Sequence, residues 1–133
     1  MVYSFSKRSK RRLLTCTADL QYIATRAIQI IDFSVLWGYR NEQEQNEAYE
    51  KGRSKLRFPY SKHNTYPSQA IDLAPYPIDW KNIKRFIYLG GVMLGIAKEK
   101  HLRIRWGGDW NSNGILSDEN FKDYGHFELI GEE

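Results

Sequence analysis

Hydrophobic positions along the chain recur at two different spacings, one helical and one alternating. Apolar residues return every three or four positions from Leu20 to Ile31, which is typical of an amphipathic helix. Asn41 and Gly52 bracket a polar stretch and supply the start and stop signals of a second helix. A third, longer segment follows Asp79 with apolar residues on one face. Helices are therefore predicted over 17–31, 42–50 and 79–100.

Short runs of β-branched, aromatic and alternating residues predict strands between these helices. The predicted strands are 33–39, 70–74, 102–106 and 126–130. Residues 53–69 and the polar stretch from 107 to about 119 lack periodicity, and long loops of this kind in compact domains usually carry function. Because helices and strands do not alternate regularly, the pattern favours an α+β fold. A length of 133 residues supports one core, and we expect a single domain over 1–133.

The composition of the chain excludes some kinds of metal site and favours certain partners. The single cysteine, Cys16, excludes an internal disulfide framework and a cysteine-rich zinc site, so any metal must be held by carboxylates and the three histidines. A net charge of +4 favours an anionic partner: nucleic acid, a membrane surface or an acidic polymer such as a cell wall. No apolar run approaches the roughly 20 residues that span a bilayer. The basic start lacks a secretory signal, so we expect synthesis in the cytoplasm.

Two predicted strands each present metal-ligating side chains on one face. Alternation puts Ile71 and Leu73 on one side of their strand and Asp72 on the other. The last strand repeats this arrangement, with His126 and Glu128 opposite its apolar residues. If the apolar residues face the core, Asp72 and His126 face a cleft.

Together with His63 in the long loop, Asp72 and His126 would provide two nitrogens and one oxygen, leaving a fourth position open as in catalytic zinc sites. A bound zinc polarises a carbonyl and lowers the pKa of water, and peptide hydrolysis also needs a carboxylate that moves a proton. Asp123 lies three residues before His126, and Gly125 allows both to approach one point. These residues alone leave two alternatives to metal binding open. One is that His63 is a surface residue, and the other is that Asp72 is paired for structural reasons.

These residues carry a resemblance to a known family. Three segments, Ser61-Lys62-His63, Ala70-Ile71-Asp72 and Asp123-Tyr124-Gly125-His126, resemble the signature of the zinc D-alanyl-D-alanine carboxypeptidase (VanX/VanY-like) family. Within that family the likeness is greatest to bacteriophage endolysins that act as L-alanyl-D-glutamate peptidases. Residues 38–40, 72–76 and 107–111 extend the likeness over nearly the whole chain.

The resemblance implies a hedgehog/DD-peptidase-like fold, with a small central antiparallel sheet and helices packed on one side. It implies one catalytic Zn²⁺ held by His63, Asp72 and His126, with Asp123 as general base. It also implies that Arg40 binds the scissile carbonyl oxygen, a role suited to a fixed cation; the alternative is a surface charge at a strand end. Ser61 would hydrogen-bond substrate or support His63.

One departure from the family pattern lies between the first two ligands. The family usually spaces its histidine and aspartate by seven residues with a glycine between them, whereas His63 and Asp72 are nine apart and 64–69 holds no glycine. Pro67 and Ser68 would make the turn instead. Because a loop can absorb two residues, we expect zinc binding to survive.

A second ion is suggested by the polar loop after the third strand. Its residues resemble a calcium loop, with oxygen ligands at alternating positions, glycine at the sixth and an apolar residue at the eighth. The acidic residue falls at position 11 rather than 12, and a self-capping Asx turn is the alternative. The possible calcium ligands are Asp109, Asn111, Asn113, Ile115, Asp118 and Glu119.

The sequence thus predicts a monomeric zinc peptidase that cuts the L-alanyl-D-glutamate bond of peptidoglycan stem peptides during phage lysis, without a separate wall-binding domain. It would reach the wall after the membrane is permeabilised, with neither stable membrane insertion nor a nucleic-acid partner. A D-alanyl-D-alanine carboxypeptidase is the alternative within the class. A basic nucleic-acid-binding module, which would use the charge and aromatic residues but not the histidines, is the alternative outside it.

Overall fold

The computed structural model describes residues 2–117 and 122–131. Its helices are α1 (Lys7–Leu13), α2 (Ala18–Ala27), α3 (Glu42–Glu50) and α4 (Ile83–Glu99). Its strands are β1 (Phe33–Trp37), β2 (Ala70–Pro75), β3 (Ile104–Trp106) and β4 (His126–Leu129). A 3-10 helix, Lys62–Asn64, lies within the predicted long loop. The α+β class is confirmed.

All neighbouring strands pair antiparallel, in the order β1-β2-β4-β3. The register of the central pair sets Asp72 of β2 opposite His126 of β4. On the other side of β2, Trp37 is the partner of Asp72, after a bulge in β1. The two predicted ligands from distant parts of the chain are therefore cross-strand neighbours.

One face of the sheet is buried against α2 and α4. Ile71, Leu73 and Phe127 are fully buried there, which confirms the predicted alternation in β2 and β4. The helices contribute buried residues at helical spacing: Leu20, Ile23, Ala24, Ala27, Leu89, Met93, Ile96 and Ala97. The opposite face keeps Asp72 and His126, so hydrophobic burial on one side orients the polar residues toward the other.

Helix α1 is an element that the sequence pattern did not predict, and it covers the edge strand β1. The hydroxyl of Ser9 accepts a hydrogen bond from the backbone N–H of Val35 (2.9 Å), and Arg12 Nη1 donates to the Val35 carbonyl (3.1 Å). Side chains thus satisfy backbone groups that an open sheet edge would expose. The basic N-terminal run therefore forms part of the fold and stabilises the edge of the sheet.

Two predicted helices are shorter than expected. Helix α2 ends at Ala27, where tighter turns follow: the N–H of Ile30 donates to the Ala27 carbonyl (2.9 Å). These turns still bury Ile28 and Ile31, which explains why the apolar periodicity ran past the helix end. Helix α4 begins at Ile83 rather than 79, after a turn. Among the described helices, none combines the length and apolar character needed to cross a bilayer.

Candidate metal centre and active site

Three side chains from separate elements converge on the polar face of the sheet. His63 comes from the 3-10 helix, Asp72 from β2 and His126 from β4, and one ligand atom of each lies within 4.8 Å of the others. Asp72 Oδ1 lies 2.9 Å from His126 Nδ1 and 3.2 Å from His63 Nε2. Within residues 2–117 and 122–131, no other group of three histidine, cysteine or acidic residues converges in this way. The three predicted ligands are thus brought together.

The outer nitrogen of each histidine is held by an acceptor. His63 Nδ1 lies 2.6 Å from the carbonyl oxygen of Gly38, and His126 Nε2 lies 2.8 Å from Glu128 Oε1. Because a carbonyl and an ionised carboxylate can only accept, these nitrogens carry the protons. His63 Nε2 and His126 Nδ1 are left as the metal-facing atoms, an outer-shell arrangement typical of metal-binding histidines. Sequence reasoning missed both supports, although Glu128 was on the correct face.

The backbone around His63 is capped on both sides. Ser61 Oγ accepts the N–H of His63 (3.1 Å), and Asn64 Oδ1 accepts the N–H of Ser61 (3.0 Å). The N–H of Arg40 donates to the His63 carbonyl (2.8 Å). Two roles were implied for Ser61. This hydrogen bond supports the one in which Ser61 holds His63, while a contact with substrate stays a prediction.

The loop between His63 and Asp72 is held in place through Ser68. Its N–H donates to the Thr15 carbonyl (2.8 Å), and its own carbonyl accepts the N–H of Thr17 (3.0 Å). Ser68 Oγ is also within 2.7 Å of the Ala70 carbonyl, at the start of β2. The turn is thereby attached to the α1–α2 connection, although residues 64–69 hold no glycine.

Arg40 is buried, with 6% of its surface exposed, and its position excludes the surface-charge alternative. Nη2 donates to Asp72 Oδ2 (2.9 Å), and Nη1 lies 3.4 Å from Gln45 Oε1. The guanidinium also stacks over the ring of Trp37 at 4.9 Å. Nε is buried and has no hydrogen-bond partner among the described residues. Arg40 therefore retains one donor beside the metal ligands.

Asp123 is placed at the same centre by its backbone. Its N–H donates to the Gly107 carbonyl (2.9 Å), and its carbonyl accepts the N–H of His126 (3.1 Å). The carbonyl of Gly125 accepts the N–H of Leu73 (2.8 Å), which ties the segment to β2. A Cβ on Gly125 would lie 2.3 Å from the Leu73 oxygen, so glycine is required for this close approach.

Burial and mutual charge shift the pKa values of these groups. Burial, and then the charge of Asp72, raise the pKa of Asp123 to about 6. Burial lowers the pKa of His126, but hydrogen bonds to Asp72 and Glu128 outweigh it and raise that pKa to about 10. Burial raises the pKa of Asp72, yet the charge of His63 and the hydrogen bond from His126 bring it well below its usual range. The centre is an acid–base cluster in which the pKa of Asp123 lies nearer neutrality than the pKa values of Asp72 and His126.

Two grooves meet at this centre. We call the larger, of about 650 Å³, the aromatic groove; its walls include Trp37, Trp80, Phe86 and Tyr124, and it contains Asp72 and Asp123. We call the smaller, of about 410 Å³, the cationic groove; its walls include Arg53, Lys55, Lys62, Arg105 and Trp110, and it contains His63 and His126. Arg40 and Arg53 line both grooves. A substrate crossing the centre would enter one groove on each side.

The predicted calcium loop satisfies its own oxygens with backbone groups. Asp109 Oδ2 accepts the N–H of Gly114 (2.8 Å), and Asn113 Oδ1 accepts that of Ile115 (2.8 Å). Asn111 Oδ1 accepts the N–H of Asn113 (3.3 Å). These are Asx-type turns, the alternative considered for this segment. Asp118 and Glu119 lie outside the described residues, and calcium binding stays a prediction without support.

The donor chemistry of the centre fits a catalytic zinc ion. Two imidazole nitrogens and one carboxylate oxygen are a ligand set that zinc accepts while leaving a position for substrate. The outer histidine nitrogens are already engaged, as metal-ligating histidines require. Fold and site together define a small α+β protein of the metallopeptidase class.

Comparisons with known proteins identify the family. The chain matches the phage L-alanyl-D-glutamate peptidase family over residues 1–130. It is 34% identical to the L-alanyl-D-glutamate peptidase of Escherichia phage T5, over 98% of this chain and 100% of that one. It is also 34% identical to the peptidoglycan L-alanyl-D-glutamate endopeptidase CwlK of Bacillus subtilis (strain 168), over 80% of this chain and 66% of that one. The chain belongs to the phage L-alanyl-D-glutamate peptidase family.

A solved structure agrees with the fold. The crystal structure of the Serratia marcescens L-Ala D-Glu endopeptidase ChiX matches with a TM-score of 0.75, over 96% of this chain and 91% of that one. The sequence identity is 24%. The sheet and its flanking helices are therefore shared with this endopeptidase.

Proposed function

We propose that this protein is a zinc-dependent peptidase that hydrolyses the L-alanyl-D-glutamate bond of peptidoglycan stem peptides. The observation that carries the proposal is the convergence of His63, Asp72 and His126 between two grooves, beside Asp123 and Arg40. Family membership supports the bond and the polymer, since the relatives are named for both.

His63 Nε2, His126 Nδ1 and a carboxylate oxygen of Asp72 would hold the ion. When bound, zinc supplies a Lewis acid that polarises the scissile carbonyl and lowers the pKa of water. Gly38 and Glu128 keep the two imidazoles in the required tautomer.

Asp123 acts as the general base and then as the acid. Its pKa of about 6 lets the carboxylate accept a proton from the attacking water near neutral pH and return it to the leaving amine. Arg40 binds the carbonyl oxygen, where its fixed charge stabilises the developing oxyanion. Because Arg40 is already held by Asp72 and Gln45, it needs no reorganisation to do so.

Digestion of purified peptidoglycan followed by mass analysis tests the reaction. New amino termini on D-glutamate are expected, whereas release of free D-alanine would instead identify a carboxypeptidase. Metal analysis of protein prepared without chelators should give about one zinc per chain. The Asp123→Ala variant should keep the metal and lose activity, while His126→Ala should lose both; an active Asp123→Ala enzyme would disprove the base assignment.

The biological setting proposed is lysis of the host by a monomeric phage enzyme. The T5 relative is a phage protein with the same activity in its name, which supports a substrate in the cell wall. Access to the wall would follow membrane permeabilisation. Gel filtration with light scattering tests the monomer, and an absence of wall cleavage together with tight nucleic-acid binding would favour the basic binding module instead.

A further inference from the structure

We propose that the stem peptide crosses the metal centre in one direction, with its D-glutamate side in the cationic groove and its alanyl side in the aromatic groove. In the cationic groove, Arg53, Lys55 and Arg105 would bind a free carboxylate next to the scissile bond. The assignment rests on the proposed function, because it concerns the substrate of the same site.

The charges of the two grooves differ. Five cations, Arg40, Arg53, Lys55, Lys62 and Arg105, line the cationic groove together with a single acidic residue, Glu128. That carboxylate is already engaged, since its Oε2 lies 2.8 Å from Arg105 Nη2 and 3.7 Å from Lys62 Nζ. The groove therefore keeps a surplus of positive charge beside the metal ligands.

Arg105 retains a donor in spite of its ion pair. Its Nε is buried and has no hydrogen-bond partner among the described residues, while its guanidinium lies 5.8 Å from the ring centroid of Trp110. A buried donor without a partner is costly, and an incoming carboxylate would satisfy it.

The aromatic groove carries a smaller surplus of positive charge. Asp72 and Asp123 line it and offset two of its three cations, which are Arg40, Arg53 and Lys122. Trp80 is 61% exposed and stacks on Phe86 with ring centroids 5.6 Å apart, so the wall presents a flat apolar surface. A second anion would be attracted less strongly here than in the cationic groove, whereas a methyl group would be accepted.

The loop that carries Arg53 and Lys55 is anchored. Gly52 adopts a positive φ of +74° at the end of α3, and the N–H of Arg53 donates to the Ala48 carbonyl (2.9 Å). Beyond it, the buried Gln45 donates from Nε2 to the Leu56 carbonyl (2.7 Å). The two exposed cations are thus presented on a backbone held at both ends.

The chemistry of the substrate indicates which side of the scissile bond lies in which groove. Glutamate has two carboxyl groups, and when one of them continues the peptide the other remains a free anion. That anion lies within one residue of the scissile bond on the amine side, whereas the alanyl side presents only a methyl group. Charge complementarity therefore assigns the amine side to the cationic groove.

Two synthetic stem peptides test the assignment with the zinc-loaded full chain. They are identical except that the free carboxylate of D-glutamate in one is a carboxamide in the other. The native enzyme should cleave the carboxylate peptide with a kcat/KM at least about 10-fold higher, the loss typical of removing one charge-assisted contact. In the Arg53→Gln, Lys55→Gln double variant this preference should fall toward one, through a higher KM for the carboxylate peptide and little change for the carboxamide.

Two variants serve as controls. Lys98→Gln removes a charge from an exposed position near the end of α4, away from both grooves, and should leave the preference unchanged. Trp80→Ala should raise KM for both peptides equally. Equal cleavage of the two peptides by the native enzyme, or an equal loss on both in the double variant, would overturn the assignment. Cleavage of neither peptide would overturn the proposed function itself, which separates the two failures.

Discussion

His126 Nε2 lies 2.8 Å from Glu128 Oε1, two residues further along the same face of β4. Because alternate residues of a strand share a face, one short segment supplies both a metal ligand and its carboxylate support. Glu128 is in turn held by Arg105 at 2.8 Å. The orientation of His126 is therefore fixed before any metal binds.

Loss of the Glu128 carboxylate should weaken zinc binding. The Glu128→Ala variant is expected to lower zinc affinity by about 10–100-fold, and Glu128→Gln by less, since glutamine can still accept the Nε2 proton. Competition with a chromophoric chelator measures the affinity. Glu99→Gln, at the exposed end of α4, removes the same charge and should have no effect. Unchanged affinity in both Glu128 variants would contradict a supporting role.

Neutralising Asp123 should stabilise the metal-free protein at alkaline pH. The pKa of about 6 in the folded state exceeds the unfolded value of about 3.9, so the fold favours the protonated acid. The stability of the native protein therefore decreases as pH rises from about 4 to about 6, and the full penalty persists above that. Asp123→Asn removes this penalty, about 3 kcal/mol, while abolishing activity.

Thermal melts of chelator-treated protein check this expectation. The melting temperature of Asp123→Asn should exceed that of the native protein at pH 8, and the difference should vanish near pH 4, where both side chains are neutral. A difference that is independent of pH would show that Asp123 is not a destabilised carboxylate.

The Gly107→Ala and Gly91→Ala substitutions should have opposite effects, the first harmful and the second stabilising. A Cβ on Gly107 would lie 2.1 Å from the Asp123 backbone oxygen, so Gly107→Ala must displace the general base and should reduce kcat by more than about 10-fold. A Cβ on Gly91 meets no atom within 4 Å, and in the interior of α4 alanine should add about 0.5–1 kcal/mol of stability. Denaturant unfolding and peptidase assays on both variants test these two expectations. A fully active Gly107→Ala enzyme would argue against a role of Gly107 in positioning Asp123.

Gln45 should matter for activity although it is not among the residues that line the two grooves. It is fully buried on α3, and its Oε1 accepts from Arg40 Nη1 and from Asn64 Nδ2. Gln45→Leu leaves these donors unsatisfied, at a cost of about 1–3 kcal/mol each where they stay buried. We expect a lower melting temperature together with a fall in kcat at constant zinc content. Glu44→Gln is unsuitable as a control because the Glu44 side chain is part of the N-terminal cap of α3. Glu47 is exposed, and Glu47→Gln should change neither the melting temperature nor kcat.

The sequence by itself determined the sheet face that carries the chemistry. Alternation in β2 and β4 has a period of two, so burial of Ile71 and Phe127 leaves no choice of side for Asp72 and His126. The order of helices and strands was also readable, apart from α1, whose amphipathic signal is short and masked by its basic residues. The predicted loop over 53–69 is also a loop in the structure, apart from the 3-10 helix around His63.

Tertiary structure decided the relationships between residues that are far apart in the chain. The register that sets Asp72 beside His126 depends on strand pairing across 54 positions, which no local pattern encodes. The Gly38 carbonyl that orients His63 comes from a loop 25 positions earlier. The different charges of the two grooves likewise arise only when β3 and the 53–56 loop surround the centre. Local periodicity reports which side of an element is buried, whereas the partner across the site is selected by packing of the whole chain.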